Sequence, residues 1–453
     1  MAAMNIASLS EPRARLRQPT FWMLFLGAAA GSLLISMHQQ KVTARRIDSS
    51  SLPLLHSGDL SYTGAFRVPA SQDDNDPVRS AFAFGGEGLM YWPAHNSLAM
   101  SNLYEYVGEI NIPAPVNSAN LTDLNRATFL QQPTDILRGH RRDVDGDSYN
   151  GAPIGGLFLR GQDLIANVYD VYDSLQSQSK SAFVTGQDFS NLPTVGGPYQ
   201  IGTTSFGGST AGVTSKWMLS IPSDFQTALG GTTLAGDCCI SIIARTSIGP
   251  SVSSFNASDL GTANPVPATV LLAYTADHPS LGPWSGRGTS TYTKATWVAG
   301  AVWPQGTRSV LFFGRVGTAG NACYGLGTSD PVNSWPNKDV PDGAGGEYCY
   351  DLADNGSHGE HAYPYRYMVW AYDANDLAAV KAGTKQYWQV LPYDTWSFEL
   401  PIASYSRMIY GVTYDQASHR LFLTQKGADF SASPLVHIFT VGPGTTGSGL
   451  CLQ

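Results

Sequence analysis

Charge is scarce in this sequence. Asp, Glu, Lys and Arg make up 14% of its 453 residues, and the formal net charge is -8. A typical domain carries about a quarter. No basic stripe is present to neutralise phosphates, so nucleic acid is excluded as an expected partner. Catalytic signatures are missing too: there is no G-x-S-x-G, no H-E-x-x-H and no Walker loop. Long amphipathic helical periodicity is absent. Only two short helices are expected, at 223–231 ("SDFQTALGG") and 375–383 ("NDLAAVKAG"). Each opens on an N-cap type residue, Ser223 or Asn375, and closes on Gly. Cysteine is rare, with five in the chain.

Turn formers and aromatics fill the space that charge leaves. There are 48 Gly, 27 Pro, 10 Trp and 22 Tyr. From Leu54 to Val441 short β-type runs alternate with Gly, Pro, Asn and Asp. That pattern predicts short strands, not bundles or disorder. The length suits two or three average domains or one large all-β domain.

The first fifty residues read differently. Residues 1–20 are basic, with Arg13, Arg15 and Arg17. They precede "FWMLFLGAAAGSLLISM" at 21–37, an uncharged apolar run. This is the pattern of a signal peptide or a membrane anchor, or else of a buried core helix. The flanking arginines favour export, with the bulk of the chain outside the cytoplasm. The expected location is periplasmic, extracellular or anchored, with membrane contact only through this segment. Residues 38–53 read as a linker, 54–442 as the folded domain and 443–453 as a Gly-rich tail.

Export makes disulfides the expected state of most cysteines. Cys323 and Cys349 close a Gly-rich loop and are predicted to pair. Cys238 and Cys239 are adjacent. They form either a vicinal ring, which would offer a rigid apolar plate beside a site, or two thiols on opposite faces of a strand. Cys451 has no evident partner. The run after Cys238, "CISIIARTS", reads as a buried strand.

Weak internal echoes suggest how the strands are organised. Residues 88–113 line up with 411–441, and 156–173 and 300–317 repeat the first half of that pattern. A strand, a tight turn and a strand through a buried layer, repeated radially, make propeller blades. A β-propeller of about six to eight blades, with long irregular loops and a few short helices, is expected in preference to a β-sandwich with insertions. Copies near both ends of the chain suit a ring that closes end to start.

Four segments, "LSYTGAFRVP" (60–69), "GDCCISIIARTSIGP" (236–250), "GTRSVLFFGRVG" (306–317) and "HAYPYRYMVWAYDANDL" (361–377), resemble a family of bacterial and phage-associated exported β-rich proteins. The resemblance spans nearly all of the chain after residue 54. It implies export, and it implies that the adjacent cysteines, "CYG" at 323–325 and "AYPY" at 362–365 belong to one design. It brings no assigned activity.

The densest polar cluster is at 350–367, with His358, Glu360, His361, Tyr363, Tyr365 and Arg366. A lyase acting on uronate polymers needs a His or Tyr base and a cation to offset carboxylate charge. His358 and His361 would equally suit a metal site, or a solvated loop. "DVDGDSYNG" at 143–151 spaces Asp143, Asp145 and Asp147 as oxygen ligands for a possible Ca²⁺, although the EF-hand pattern fails at its sixth and twelfth positions. The alternative is an acidic turn. Gly85, Gly86 and Gly88 around Glu87 mark close backbone approach, with Glu87 directed to a central funnel. His278, Trp284 and Arg287 share a loop suited to an anionic sugar, or pinned by one buried Trp. Tyr324 completes the candidate binding residues. Taken together, the chain reads as a protein that binds extracellular polysaccharide or glycan. A uronate polysaccharide lyase using the His/Tyr/Arg set and a non-catalytic surface protein are the alternatives.

Overall fold

The computed structural model describes residues 49–442, apart from 72–74, 77–79, 104–105, 146–150, 172, 174, 176, 206–210, 240–246, 276–277, 282–290 and 318–321. The expected anchor at 21–37, the tail, Cys451, Asp147, Trp284, Arg287 and most of "CISIIARTS" lie outside the described residues. Among the described residues no helix is long and apolar enough to cross a membrane.

Five four-stranded antiparallel sheets make up most of the fold. Sheet 1 is Leu89–Trp92, Ser97–Ser101, Tyr106–Asn111 and Phe129–Asp135. Sheet 2 is Ile154–Arg160, Asp163–Val168, Ala182–Gly186 and Gly196–Tyr199. Sheet 3 is Met218–Ser220, Thr233–Ala235, Val252–Phe255 and Ala268–Leu272. Sheet 4 is Trp297–Val302, Ser309–Gly317, Tyr365–Asp373 and Asp394–Phe398. Sheet 5 is Ile409–Asp415, Arg420–Gln425 and Leu435–Val441, and its fourth strand is the N-terminal Leu60–Arg67.

Each pair of successive sheets shares one apolar core. Trp92, Ile154 and Phe183 join sheets 1 and 2, and Ile165, Ala235 and Phe255 join sheets 2 and 3. Leu234, Phe312 and Trp370 join sheets 3 and 4, and Phe313, Val369 and Leu423 join sheets 4 and 5. Leu98, Phe422 and Ile438 bring sheet 5 back to sheet 1. The cores therefore close a cycle, and the fold is all-β and propeller-like. The expected six to eight repeats are not met among the described residues. Chain is spent on long connections instead, including residues 318–364. That segment holds a small sheet of Cys323–Thr328, Glu347–Tyr350 and His358–His361.

Burial is greatest in the second strands and lower in the outer ones, and composition follows it. Second strands such as Ser97–Ser101 are buried throughout. The middle of this strand, Leu98, Ala99 and Met100, is apolar on both faces and reads as a short continuous run, while Ser97 and Ser101 at its ends are buried with hydrogen-bond partners. Outer strands such as Phe129–Asp135 alternate or are half exposed, and this one carries Pro133, tolerated at an edge. The internal echoes are real strand pairs. Residues 88–113 and 411–441 are the first three strands of sheets 1 and 5, and 156–173 and 300–317 begin sheets 2 and 4. The two helices are present as Ser223–Leu229 and Ala374–Lys381. The second is capped by Asp373, not Asn375: the Asp373 carboxylate accepts from Asn375 N–H.

In antiparallel sheets of this order, entries to first strands and second-to-third connections share one end, here called the loop end. First hairpin turns lie at the opposite, turn end. Residues 53–59 join the fold at the turn end. Arg308 N–H donates to Pro53 O, and His56 Nδ1 lies 2.7 Å from Asp394 Oδ2.

One buried titratable group gives the fold a pH signature. His437 is completely buried, with its ring nitrogens 2.9 Å from Gln425 Oε1 and 3.0 Å from the Tyr62 hydroxyl. Burial pushes its pKa down to about 3. The folded value is below the unfolded one, so the neutral ring stabilises fully above the ordinary pKa and progressively less as pH falls toward 3. From pH 7.5 to 5.5 this group alone should remove about 1.4 kcal/mol. Urea unfolding at the two pH values checks it. A His437→Gln variant that keeps the whole pH slope would show that another group is responsible.

Candidate functional site

One residue from each sheet converges at the loop end of the central axis. Glu87 precedes the first strand of sheet 1, and Tyr169 follows the second strand of sheet 2. Lys216 precedes the first strand of sheet 3, Trp297 begins sheet 4, and Tyr410 is second in sheet 5. The Tyr169 hydroxyl donates to Glu87, 2.7 and 2.9 Å from its two oxygens. Lys216 Nζ lies 3.3 Å from Glu87 Oε1. It also lies 3.7 Å from the centre of the Trp297 ring and 4.2 Å from that of Tyr169. A buried ammonium held between a carboxylate and two π faces gains attraction from both. Burial, reinforced by Glu87, pushes the Tyr169 phenol well above its usual pKa, so it stays a donor. Burial and Glu87 act the same way on Tyr410.

Glycine makes room for this cluster. A Cβ on Gly156 would meet Lys216 O at 2.1 Å, and one on Gly155 would crowd Tyr169 and Lys216 at 2.9 and 3.0 Å. The Gly run at 85–88 serves the same close approach. A Cβ on Gly411 would lie 2.4 Å from Gly86 O. Glu87 therefore does face the axis.

Two further cations border the cluster. Lys426 Nζ sits 4.8 Å from the centre of the Tyr410 ring, and burial, aided by nearby Arg315, holds its pKa below the usual lysine range. Arg315 donates to Ser406 O at 2.8 Å and stacks on Tyr365 at 3.9 Å. Trp297, Tyr410, Glu87 and Lys426 are half-buried at this end of the axis, here called the mouth. Phe84, Leu103, Leu175, Tyr324, Tyr405 and Phe430, all exposed, lie in connections at the same end. Phe84, Cys239, Ser431 and Ala432, also in these connections, hold left-handed backbone conformations, a strain that recurs at functional sites. At the turn end, the five first strands enclose a separate cavity of about 360 Å³, lined by Tyr91, Leu157, Met218, Val302, Val412 and Tyr414 among others.

The sequence candidates fall elsewhere. His361 is buried, its Nδ1 3.0 Å from Asp351 Oδ2 and its Nε2 3.2 Å from Ser357 O. Burial opposes its protonation, but the Asp351 hydrogen bond and charge outweigh it and raise the pKa. Tyr365 also donates to Asp351 Oδ2, at 2.7 Å. Burial opposes the ionised Asp351, yet these two bonds hold its pKa below normal. This trio pins the small sheet to sheet 4. Tyr363 is half-buried and packs edge-on against Tyr350. Arg366 is exposed between buried Tyr365 and Tyr367, so strand alternation turns it away from His361. His358 pairs outward with Asp342 at 2.9 Å and lies edge-on to exposed Tyr324. His278 is a loop pin: its Nδ1 accepts Leu281 N–H at 3.0 Å and its Nε2 lies 2.8 Å from Trp388 O. Among the described residues, His358, His361, Tyr363, Arg366 and His278 therefore do not converge on one point.

Of the three expected calcium ligands, Asp147 lies outside the described residues and the other two have protein partners. Asp143 turns to His140 Nδ1 at 2.7 Å, while Asp145 accepts the Ser179 and Lys180 N–H groups at 2.7 and 2.9 Å. His358 and His361 have separate partners, and among the described residues no group of three His, Cys, Asp or Glu is placed to hold a metal. Both expected disulfides are present. Cys323 and Cys349 are bridged with Cα atoms 6.0 Å apart. Cys238 and Cys239 are bridged to each other, but both are buried in the core between sheets 3 and 4. The ring is a core element and not the exposed plate expected beside a ligand.

No protein-family model and no curated protein matches the chain. Among solved structures it is similar to a luciferin-regenerating enzyme, at 8% identity and TM-score 0.32 over 86% of this chain and 94% of that one. It is also similar to a gluconolactonase of Xanthomonas campestris, at 12% and 0.29 over 84% and 98%. A third is the β-propeller domain of Cps50 (Swd1) from Myceliophteria thermophila, at 9% and 0.30 over 84% and 99%. Likenesses this distant carry no argument about activity.

Proposed function

We propose that the chain is an exported five-bladed β-propeller that binds extracellular carbohydrate at the loop end of its axis. On this reading it belongs with the bacterial and phage-associated exported proteins that its segments resemble. The supporting observation is the axial mouth: half-buried Trp297 and Tyr410 beside the Glu87–Lys216 pair, framed by connections rich in exposed aromatics. Sugars are bound by flat aromatic faces together with a few fixed polar groups, and the mouth offers both. The five shared cores support a closed propeller, since a cycle leaves no sheet face uncovered. Among the described residues nothing favours the lyase alternative, since His361 turns inward to Asp351 and Arg366 turns out.

Affinity electrophoresis of the full chain through gels containing neutral and acidic polysaccharides tests the reading. At least one polysaccharide should retard it, and Tyr410→Ala should weaken that retardation about tenfold or more. Migration unchanged by every polysaccharide would overturn the proposal in favour of a purely structural surface protein.

A further inference from the structure

The axial mouth has donors without acceptors. Trp297 Nε1 and Arg315 Nε are buried and make no hydrogen bond. Lys426 Nζ rests over the Tyr410 ring and makes no hydrogen bond or ion pair among the described residues. The nearby carboxylates do not fill these donors. Both oxygens of Glu87 are taken by Tyr169, with Lys216 alongside. Asp237 is held by Ser215 Oγ and by Cys238 N–H. Asp354 lies within electrostatic range of Lys426 from the 318–364 connection, without bonding it. Buried donors normally find partners, and a cluster of unfilled ones at a mouth implies a ligand that brings acceptors.

We propose that this mouth binds the carboxylate of an acidic sugar, with Lys426 and Arg315 facing the carboxylate and Tyr410 and Trp297 against the ring. The inference rests on the carbohydrate reading and narrows it to uronate-type units. Lys216 is enclosed and already balanced by Glu87, so it sets the positive field without moving. Lys426 is the accessible cation, and its charge is partly desolvated. Such a charge binds an anion more strongly than a surface lysine does.

Calorimetry on the full chain separates this from the broader reading. The probes are free galacturonate and glucuronate, their neutral counterparts galactose and glucose, and acetate. A uronate should bind at least about tenfold more tightly than its neutral counterpart, the range expected for one charge-assisted contact. Lys426→Gln should remove that preference, and Lys426→Arg should retain it. Equal binding of acidic and neutral sugars overturns the inference while the carbohydrate reading stands. Acetate binding as well as a uronate overturns it too, since the ring then contributes nothing. If no sugar binds, the inference falls, and polysaccharide retardation alone decides the broader reading. A preference that survives Lys426→Gln in a folded variant also removes this site.

Discussion

Replacing Lys216 by Met is expected to destabilise the fold by about 3–5 kcal/mol, the range found when one partner of a buried ion pair is removed. Lys216 is 1% exposed, and its ammonium is enclosed by Glu87, Tyr169 and Trp297. Met fills much of the same volume but leaves the Glu87 carboxylate in a partly desolvated site with only Tyr169 as donor. Glu87→Gln should be costly for the converse reason, since Lys216 would keep its charge without a counter-ion. Removing both charges together should recover part of the loss, so the double variant should be more stable than the two single losses would sum to. Urea unfolding of the four proteins measures this. A loss under about 1 kcal/mol for Lys216→Met would mean that the cluster does not hold the ends of the sheets together.

The second large effect is expected at the Cys323–Cys349 bridge. With a sequence separation of 26, the chain-entropy relation gives about 3.5 kcal/mol for its loss. The effect should be local. The bridge ties together two strands of the small sheet, whose other anchor is the Asp351–His361–Tyr365 trio. In a Cys323→Ser, Cys349→Ser variant, protease should cut within 318–364 well before the five-sheet cycle unfolds. Protection of that segment equal to wild type would show that the trio suffices without the bridge.

Several features of this protein were determined in the sequence because they depend on neighbours in the chain. Short apolar runs separated by Gly and Pro can only be strands. The echoes at 88–113, 156–173, 300–317 and 411–441 are hairpins whose registers are set by local turns. Helix stops at Gly230 and Gly383 follow from the left-handed conformation that each adopts. The loop of Cys323 and Cys349 was legible for the same reason, because both cysteines belong to one connection. The Gly run around Glu87 pointed correctly to close backbone approach.

The number of sheets and the axial cluster were decided only by tertiary structure. Sheet number depends on how much chain goes into connections, and only the pairing of Ser309–Gly317 with Tyr365–Asp373 shows residues 318–364 to be an insertion within sheet 4. Glu87, Tyr169, Lys216, Trp297 and Tyr410 are separated by dozens to hundreds of residues and share no motif. They meet because each sits where a strand starts or ends at the axis. The one local hint was a lysine in "SKWML", just before a strand and followed only by apolar residues. Conversely, the dense cluster at 350–367 attracted a catalytic reading because its residues are close in sequence. Strand alternation then divides such neighbours between opposite faces: His361 and Tyr365 turn inward to Asp351, and His358 and Arg366 turn out. Proximity along a strand separates side chains, whereas closure of a ring of sheets brings distant ones together.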